Sequence, residues 1–158
     1  MYETILLPTD GSDPATEAAR SGFAFAKQVG ANVHVLAVAD VNIATSAGYS
    51  GDSPSIRARL RETADERATA LAEEAREYGL DAEATVREGV PAAEIVAKAT
   101  EDEIDAVVMG TAGRGGVTRA LVGSVADKVI RTAPVPVVTV NPSAAGNQEI
   151  ESGIEKRS

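Results

Sequence analysis

The residues best suited to chemistry stand between positions 110 and 124. They read Gly-Thr-Ala-Gly-Arg-Gly-Gly-Val-Thr-Arg-Ala-Leu-Val-Gly-Ser. Glycines let a backbone come close to a ligand. A helix opening at Ser124 would present unpaired N–H groups and the positive end of its dipole. Arg114 and Arg119 add cations, and Ser124 adds a hydroxyl. Together these residues suit an anion, and a phosphate is the natural candidate. A plainer reading stays open: glycine is common turn chemistry after a strand, and Ser124 with Asp127 forms an N-capping pattern that needs no ligand. The segment is not a Walker A loop, because no Gly-Lys-Ser/Thr closes it. Nor is it a Gly-x-Gly-x-x-Gly fingerprint, because Thr118 stands where the third glycine would be. A second polar cluster, Thr9-Asp-Gly-Ser-Asp-Pro14, follows the first apolar run.

Such groups need elements to position them. Thr4 to Pro8 is a short apolar strand, and the turn after it leads to a helix with Asp13 as cap and Pro14 in its first turn. That helix runs to about Val29, with Ala18, Gly22, Phe25, Ala26 and Val29 on one face, and Gly30 ends it. Val33 to Ala39 is almost wholly apolar, as in a central parallel strand covered on both sides. Residues 41–53 lack periodicity and read as a loop long enough to serve as a lid. A long helix begins at Pro54, with Ile56, Leu60, Ala64, Arg67, Leu71, Ala75 and Tyr78 recurring every three or four residues until Gly79. Residues 81–87 alternate like a strand near an edge, and Pro91 opens a short helix to Thr100. Ala106 to Met109 is a buried strand, residues 124–132 a helix, and Pro134 to Val140 the last strand.

The order is strictly β-α-β-α-β-α-β-α-β. Alternation with apolar strands predicts an α/β fold, a single doubly wound five-stranded parallel sheet with helices on both faces. Two strand orders are common for such a sheet, 3-2-1-4-5 and 2-1-3-4-5. The first brings the loops after strands 1 and 4 to one crevice, and these are the two polar clusters above. Residues 1–141 form the expected domain. Residues 142–158, with little to bury, are expected to be disordered.

Composition excludes several functions. The chain has no cysteine and a single histidine, His34. Thiol catalysis, cysteine-ligated metals and multi-histidine sites are therefore out. His34 falls in a strand interior, away from the crevice, and reads as a packed side chain. The 158 residues carry 24 acidic and 15 basic side chains, a net charge of −9. Such a surface repels nucleic acid and anionic membranes. No apolar run is long enough to span a bilayer, so a cytoplasmic protein is the expectation. Arginine outnumbers lysine 11 to 4, and alanine occurs 29 times. Salt adaptation and a bias towards GC-rich codons explain that composition equally well.

The spacing Gly110-x2-Gly113-x9-Gly123-Ser124 resembles the Gly-2x-Gly-9x-Gly-Ser/Thr signature of the nucleotide-binding branch of the universal stress protein family. The resemblance extends over residues 1 to about 141. It includes Ile5-Leu-Leu-Pro-Thr-Asp-Gly-Ser12, Val35-Leu-Ala-Val-Ala-Asp40, Glu88-Gly-Val-Pro91 and Pro134-Val-Pro-Val-Val-Thr-Val140. It implies an adenine-nucleotide α-hydrolase-like fold with ATP held across the switch point. By position, Pro8, Thr9 and Asp10 would follow the first strand, with Asp10 near the ribose and the metal-bridged phosphates. Val38 would meet adenine through its backbone. Met109 and Gly110 would flank the ribose and α-phosphate. Gly113, Arg114, Gly123, Ser124 and Val125 would surround the phosphate chain. Mg²⁺ or Mn²⁺ would bridge the phosphates, and two copies would pair through residues 137–140 as a homodimer. Thr111, Ala112 and the pair Gly115-Gly116 depart from the commoner residues of the family. The implied role is a stress-response regulatory or switch protein. A slow metal-dependent ATPase using Asp10 and Arg114, and a nucleotide-independent interaction module, are the alternatives.

Overall fold

The computed structural model describes residues 2–40, 54–101, 103–111 and 122–141. The loop 41–53 and the tail 142–158 therefore lie outside the described residues, as do Gly113 and Arg114. The elements are β1 (Thr4–Thr9), α1 (Asp13–Val29), β2 (Asn32–Ala39), α2 (Pro54–Glu77), β3 (Ala82–Glu88), α3 (Pro91–Glu101), β4 (Ala106–Gly110), α4 (Ser124–Thr132) and β5 (Val137–Val140). The five strands form one sheet in the order β3-β2-β1-β4-β5, with every pairing parallel. The expected topology is thus the observed one.

The reason is visible along β1. Ile5, Leu6 and Leu7 are wholly buried, so both faces of the central strand need cover. Alternation sends Ile5 and Leu7 to one side, where they meet Ala19, Phe23 and Ala26 of α1 and the alanine-rich face of α2. Leu6 points the other way, into a cluster with Leu36, Val107, Ile95 of α3 and Val129 of α4. Two helices cover each face. Gly22 of α1 lies against Leu7 and Val108 with no room for a side chain.

Three local details differ from expectation. Ser12, not Asp13, caps α1: its Oγ accepts the Ala15 N–H at 3.2 Å. Asp13 instead lies in the first turn, where its charge suits the dipole. The buried aromatic of α1 is Phe23, while Phe25 is half-buried and Val29 exposed. A wheel drawn through 18, 22, 25, 26 and 29 is rotated from the true face of 15, 18, 19, 22, 23 and 26. Tyr78, just past the end of α2, is exposed, and its ring lies under the Lys27 ammonium at 5.1 Å.

Asp105 fastens the start of β1. Its Oδ2 accepts the backbone N–H groups of Glu3 at 2.7 Å and Thr4 at 3.0 Å. These two donors, Thr4 first, hold its carboxyl below the usual carboxylate range. A lowered folded pKa means stability that is present above the unfolded value and lost as pH falls through the folded one. The protein is therefore expected to lose stability below about pH 4, and Asp105→Asn to flatten that acid limb. Thermal melts between pH 5 and 2 check this, and identical limbs would remove Asp105 from the account.

Candidate functional site

β1 and β4 are neighbours, yet the chain leaves their C-terminal ends toward opposite faces of the sheet, to α1 and to α4. That divergence opens a crevice. A cavity of about 410 Å³ fills it. One wall is apolar and comes from the α3/α4 side: Leu36, Val38, Ile95, Met109 and Ala126. The other comes from the α1/α2 side and is made of small residues, Ala15, Ala37, Ala39 and Ala64, with Leu60. A planar aromatic group suits such a slot. Polar groups gather around it: Thr9, Asp10, Asp40, Thr63, Arg67, Thr111 and Ser124.

Nine of the residues expected from the sequence line this one cavity: Pro8, Thr9, Asp10, Val38, Met109, Gly110, Gly123, Ser124 and Val125. Val38 is half-buried and Met109 buried, and each belongs to the core as well as to the cavity wall.

The loop after β1 is held by its own side chains. Thr9 Oγ1 accepts the Gly11 N–H at 3.1 Å, and Asp10 Oδ1 accepts the Ser12 N–H at 2.9 Å. This Asx turn aims the loop back into α1, and Gly11 takes a φ of +79° that favours glycine. The loop after β4 is closed at its base. Gly123 N–H donates to Thr111 C=O at 2.6 Å, and Thr111 N–H donates to Val140 C=O of β5 at 3.0 Å.

Helix α4 begins at Ser124, as expected, and the Ser124–Asp127 cap of the plainer reading does not form. Gly123 is the N-cap, and no side chain caps the helix. The first helical bond runs from Asp127 N–H to Gly123 C=O. The N–H groups of Ser124, Val125 and Ala126 therefore have no acceptor within the helix. These residues all line the cavity, so a helix start with three such donors opens on it. An anion is the complementary partner.

Sequence reasoning missed the α2 side of the cavity. Leu60, Thr63, Ala64 and Arg67 all face it. The signal was an arginine inside an otherwise apolar stripe.

His34 does not line the cavity. It is buried in β2, its Nε2 lies 2.7 Å from Thr85 Oγ1, and its Nδ1 lies 3.6 Å from the Glu83 carboxylate. Among the described residues no three His, Asp or Glu side chains converge as a metal cage. None of the described helices is long and apolar enough to cross a membrane.

A model of the universal stress protein family matches residues 1–141. Universal stress protein MJ0531 of Methanocaldococcus jannaschii is 39% identical over 140 residues, covering 89% of this chain and 82% of its own. The solved structure of hypothetical protein MJ0577 superposes with a TM-score of 0.78 at 29% identity, over 89% of this chain and 96% of that one. A universal stress protein from Archaeoglobus fulgidus, solved in complex with dAMP, has a TM-score of 0.60 at 24% identity, covering 88% and 97%.

Proposed function

The chain belongs to the universal stress protein family, and from that premise we propose that it binds an adenine nucleotide, ATP, in the crevice between the loops after β1 and β4. The observation that carries this reading is the pairing of an apolar slot with the open start of α4 in one cavity. Adenine would occupy the slot beside Val38 and Met109. The phosphates would take the N–H groups of Ser124 and Val125, with Gly110, Gly113, Gly123 and Arg114 around them. A relative of the same fold holds dAMP, which supports an adenine ligand.

Mg²⁺ or Mn²⁺ fits the donors on hand. Such ions commonly use one or two carboxylates and take the remaining oxygens from phosphate and water. Asp10 is the proposed carboxylate, placed by its turn at the cavity. The ion would offset phosphate charge that Asp10 and Asp40 would otherwise repel.

The proposed role is that of a nucleotide-dependent regulator in the stress response. Rapid hydrolysis would require a residue to orient the attacking water. Asp10 is assigned to the ion, which leaves Asp40 as the one other carboxylate among the described lining residues to orient a water. A slow metal-dependent ATPase using Asp10 and Arg114 is the rival reading. A second copy is the proposed protein partner, pairing along β5, a sheet edge that among the described strands is hydrogen-bonded to β4 alone.

One preparation tests these proposals. The protein is purified with magnesium in high salt and denatured, and the released small molecules are identified by mass. Stoichiometric ATP is the expected result, whereas ADP or AMP would favour turnover. A protein that is empty and also ignores added ATP would overturn the nucleotide reading. Sedimentation at micromolar concentration, with and without ATP, reports pairing, and a monomer in both would sink the dimer.

A further inference from the structure

We infer that Arg67, on the inner face of α2, reads the phosphates of the bound nucleotide and sets its preference for nucleotide over nucleoside; the inference rests on the nucleotide reading above. Arg67 is half-buried and lines the cavity. Its side chain lies across Gly11, in the turn that follows β1. A Cβ built at position 11 would come within 2.5 Å of Arg67 Cδ and 3.0 Å of Cζ. The guanidinium thus rests on the bare backbone beside Asp10, over one of the two loops that define the crevice.

Its half-buried place sets it apart from Arg57 and Arg59, which are exposed, and its partners set it apart from the other described arginines. Arg20 pairs with Glu74, Arg61 with Glu88, Arg87 with Glu94 and Glu101, and Arg131 with Asp127. Arg76 donates to the Ala82 carbonyl. Arg67 has no carboxylate or carbonyl partner among the described residues. A partly desolvated cation beside an apolar slot calls for anions near it; Asp10 and Asp40 line the same cavity, and a phosphate would add a direct partner. It is also the only cation among the described residues that line the cavity.

The placement is two-sided. α4 opens on the cavity from one face of the sheet, and α2 carries Arg67 in from the other. A phosphate chain in the crevice would lie between fixed N–H donors and a planar guanidinium. Arginine suits that geometry because it can give two parallel N–H bonds to phosphate oxygens. Adenosine, which carries no phosphate, would leave Arg67 without a ligand contact.

The test titrates ATP, AMP and adenosine into the wild type, Arg67→Met and Arg67→Lys, by calorimetry in magnesium. Methionine keeps an apolar stem over Gly11, and lysine keeps the charge without the fork. In Arg67→Met the affinity for ATP is expected to fall about tenfold or more, the scale of a charge-assisted hydrogen bond. Adenosine should stay within about twofold, and Arg67→Lys should recover part of the loss. If both ligands keep their affinity in Arg67→Met, or if both weaken equally, the inference is wrong while nucleotide binding stands. A wild type that binds neither ligand sinks the nucleotide reading and this inference with it. If the methionine variant does not fold, the ratio of ATP to adenosine affinity in Arg67→Lys decides: an unchanged ratio overturns the inference.

Discussion

Valine at position 22 is expected to leave little folded protein. Gly22 sits where α1 crosses β1 and β4, and a Cβ there would stand 2.5 Å from Leu7 Cδ2 and 3.4 Å from Val108 Cγ1. Leu7 is wholly buried and Val108 nearly so, so neither can swing into solvent. Alanine would gain about 1 kcal/mol in helix propensity and lose about 1–3 kcal/mol to overpacking. The net is a modest loss. Valine adds two further methyl groups to the same clash and would force α1 off the sheet, against a total stability of about 5–15 kcal/mol. Because α1 starts at the Ser12 cap, beside Asp10, any shift also moves the site. Urea unfolding of Gly22→Ala and Gly22→Val checks the ranking. If the valine variant unfolds at the wild-type midpoint, the close crossing is not what seats α1.

The second large effect changes sign with magnesium. Asp10 has two separable roles, a turn acceptor for the Ser12 N–H and a charge facing the cavity. Asp10→Asn keeps an oxygen for the turn and removes the charge. With magnesium present, its affinity for ATP should fall at least about tenfold, because a charged ligand to the ion is lost. With magnesium chelated, the same variant should bind ATP as well as the wild type or better, because a carboxylate that repels phosphate is gone. Asp10→Ala should weaken binding under both conditions, since the turn is lost as well. Titrations in magnesium and in chelator separate these cases. A fall in Asp10→Asn that is the same with and without the ion would place Asp10 outside the metal's reach.

Much of the fold was legible because its signals were local. Val33 to Ala39 can only be a strand covered on both sides, and turn residues close each element. The strand order followed from the wish to bring two polar loops together, which is a chemical argument as much as a topological one. The helix faces were harder. α1 is rich in alanine, so a wheel through its few large residues lands on Phe25 and Val29, although Phe23 is the one in the core. The cap of α1 was misread, and the alternative cap at α4 does not form, for a related reason. In Thr9–Pro14 and in Gly123–Ser124 two adjacent residues could each serve, and only backbone angles decide between them. Gly123 adopts φ −63° and ψ 158°, the extended conformation of an N-cap, which moves Ser124 inside the helix.

The α2 wall was hidden by a matter of length. At about 1.5 Å per residue, its 24 residues span about 36 Å. The eight residues of β2 reach only about 26 Å. The helix therefore overruns the sheet. Its buried residues begin at Ala64. The turns before and just after it hang over the crevice. A periodic stripe cannot show where the sheet beneath it stops, so Arg67 looked like an odd member of a core face.

Thr111 has one further consequence. Its N–H holds the C-terminal end of β5, and its carbonyl holds Gly123 at the mouth of the cavity. The outer edge of the sheet and the start of α4 thus share one residue. Binding at linked sites obeys reciprocity: if occupancy of the crevice tightens the association of two copies by some factor, association must tighten occupancy by the same factor. A protein of this build would then respond jointly to its own abundance and to its ligand, each lowering the amount of the other needed.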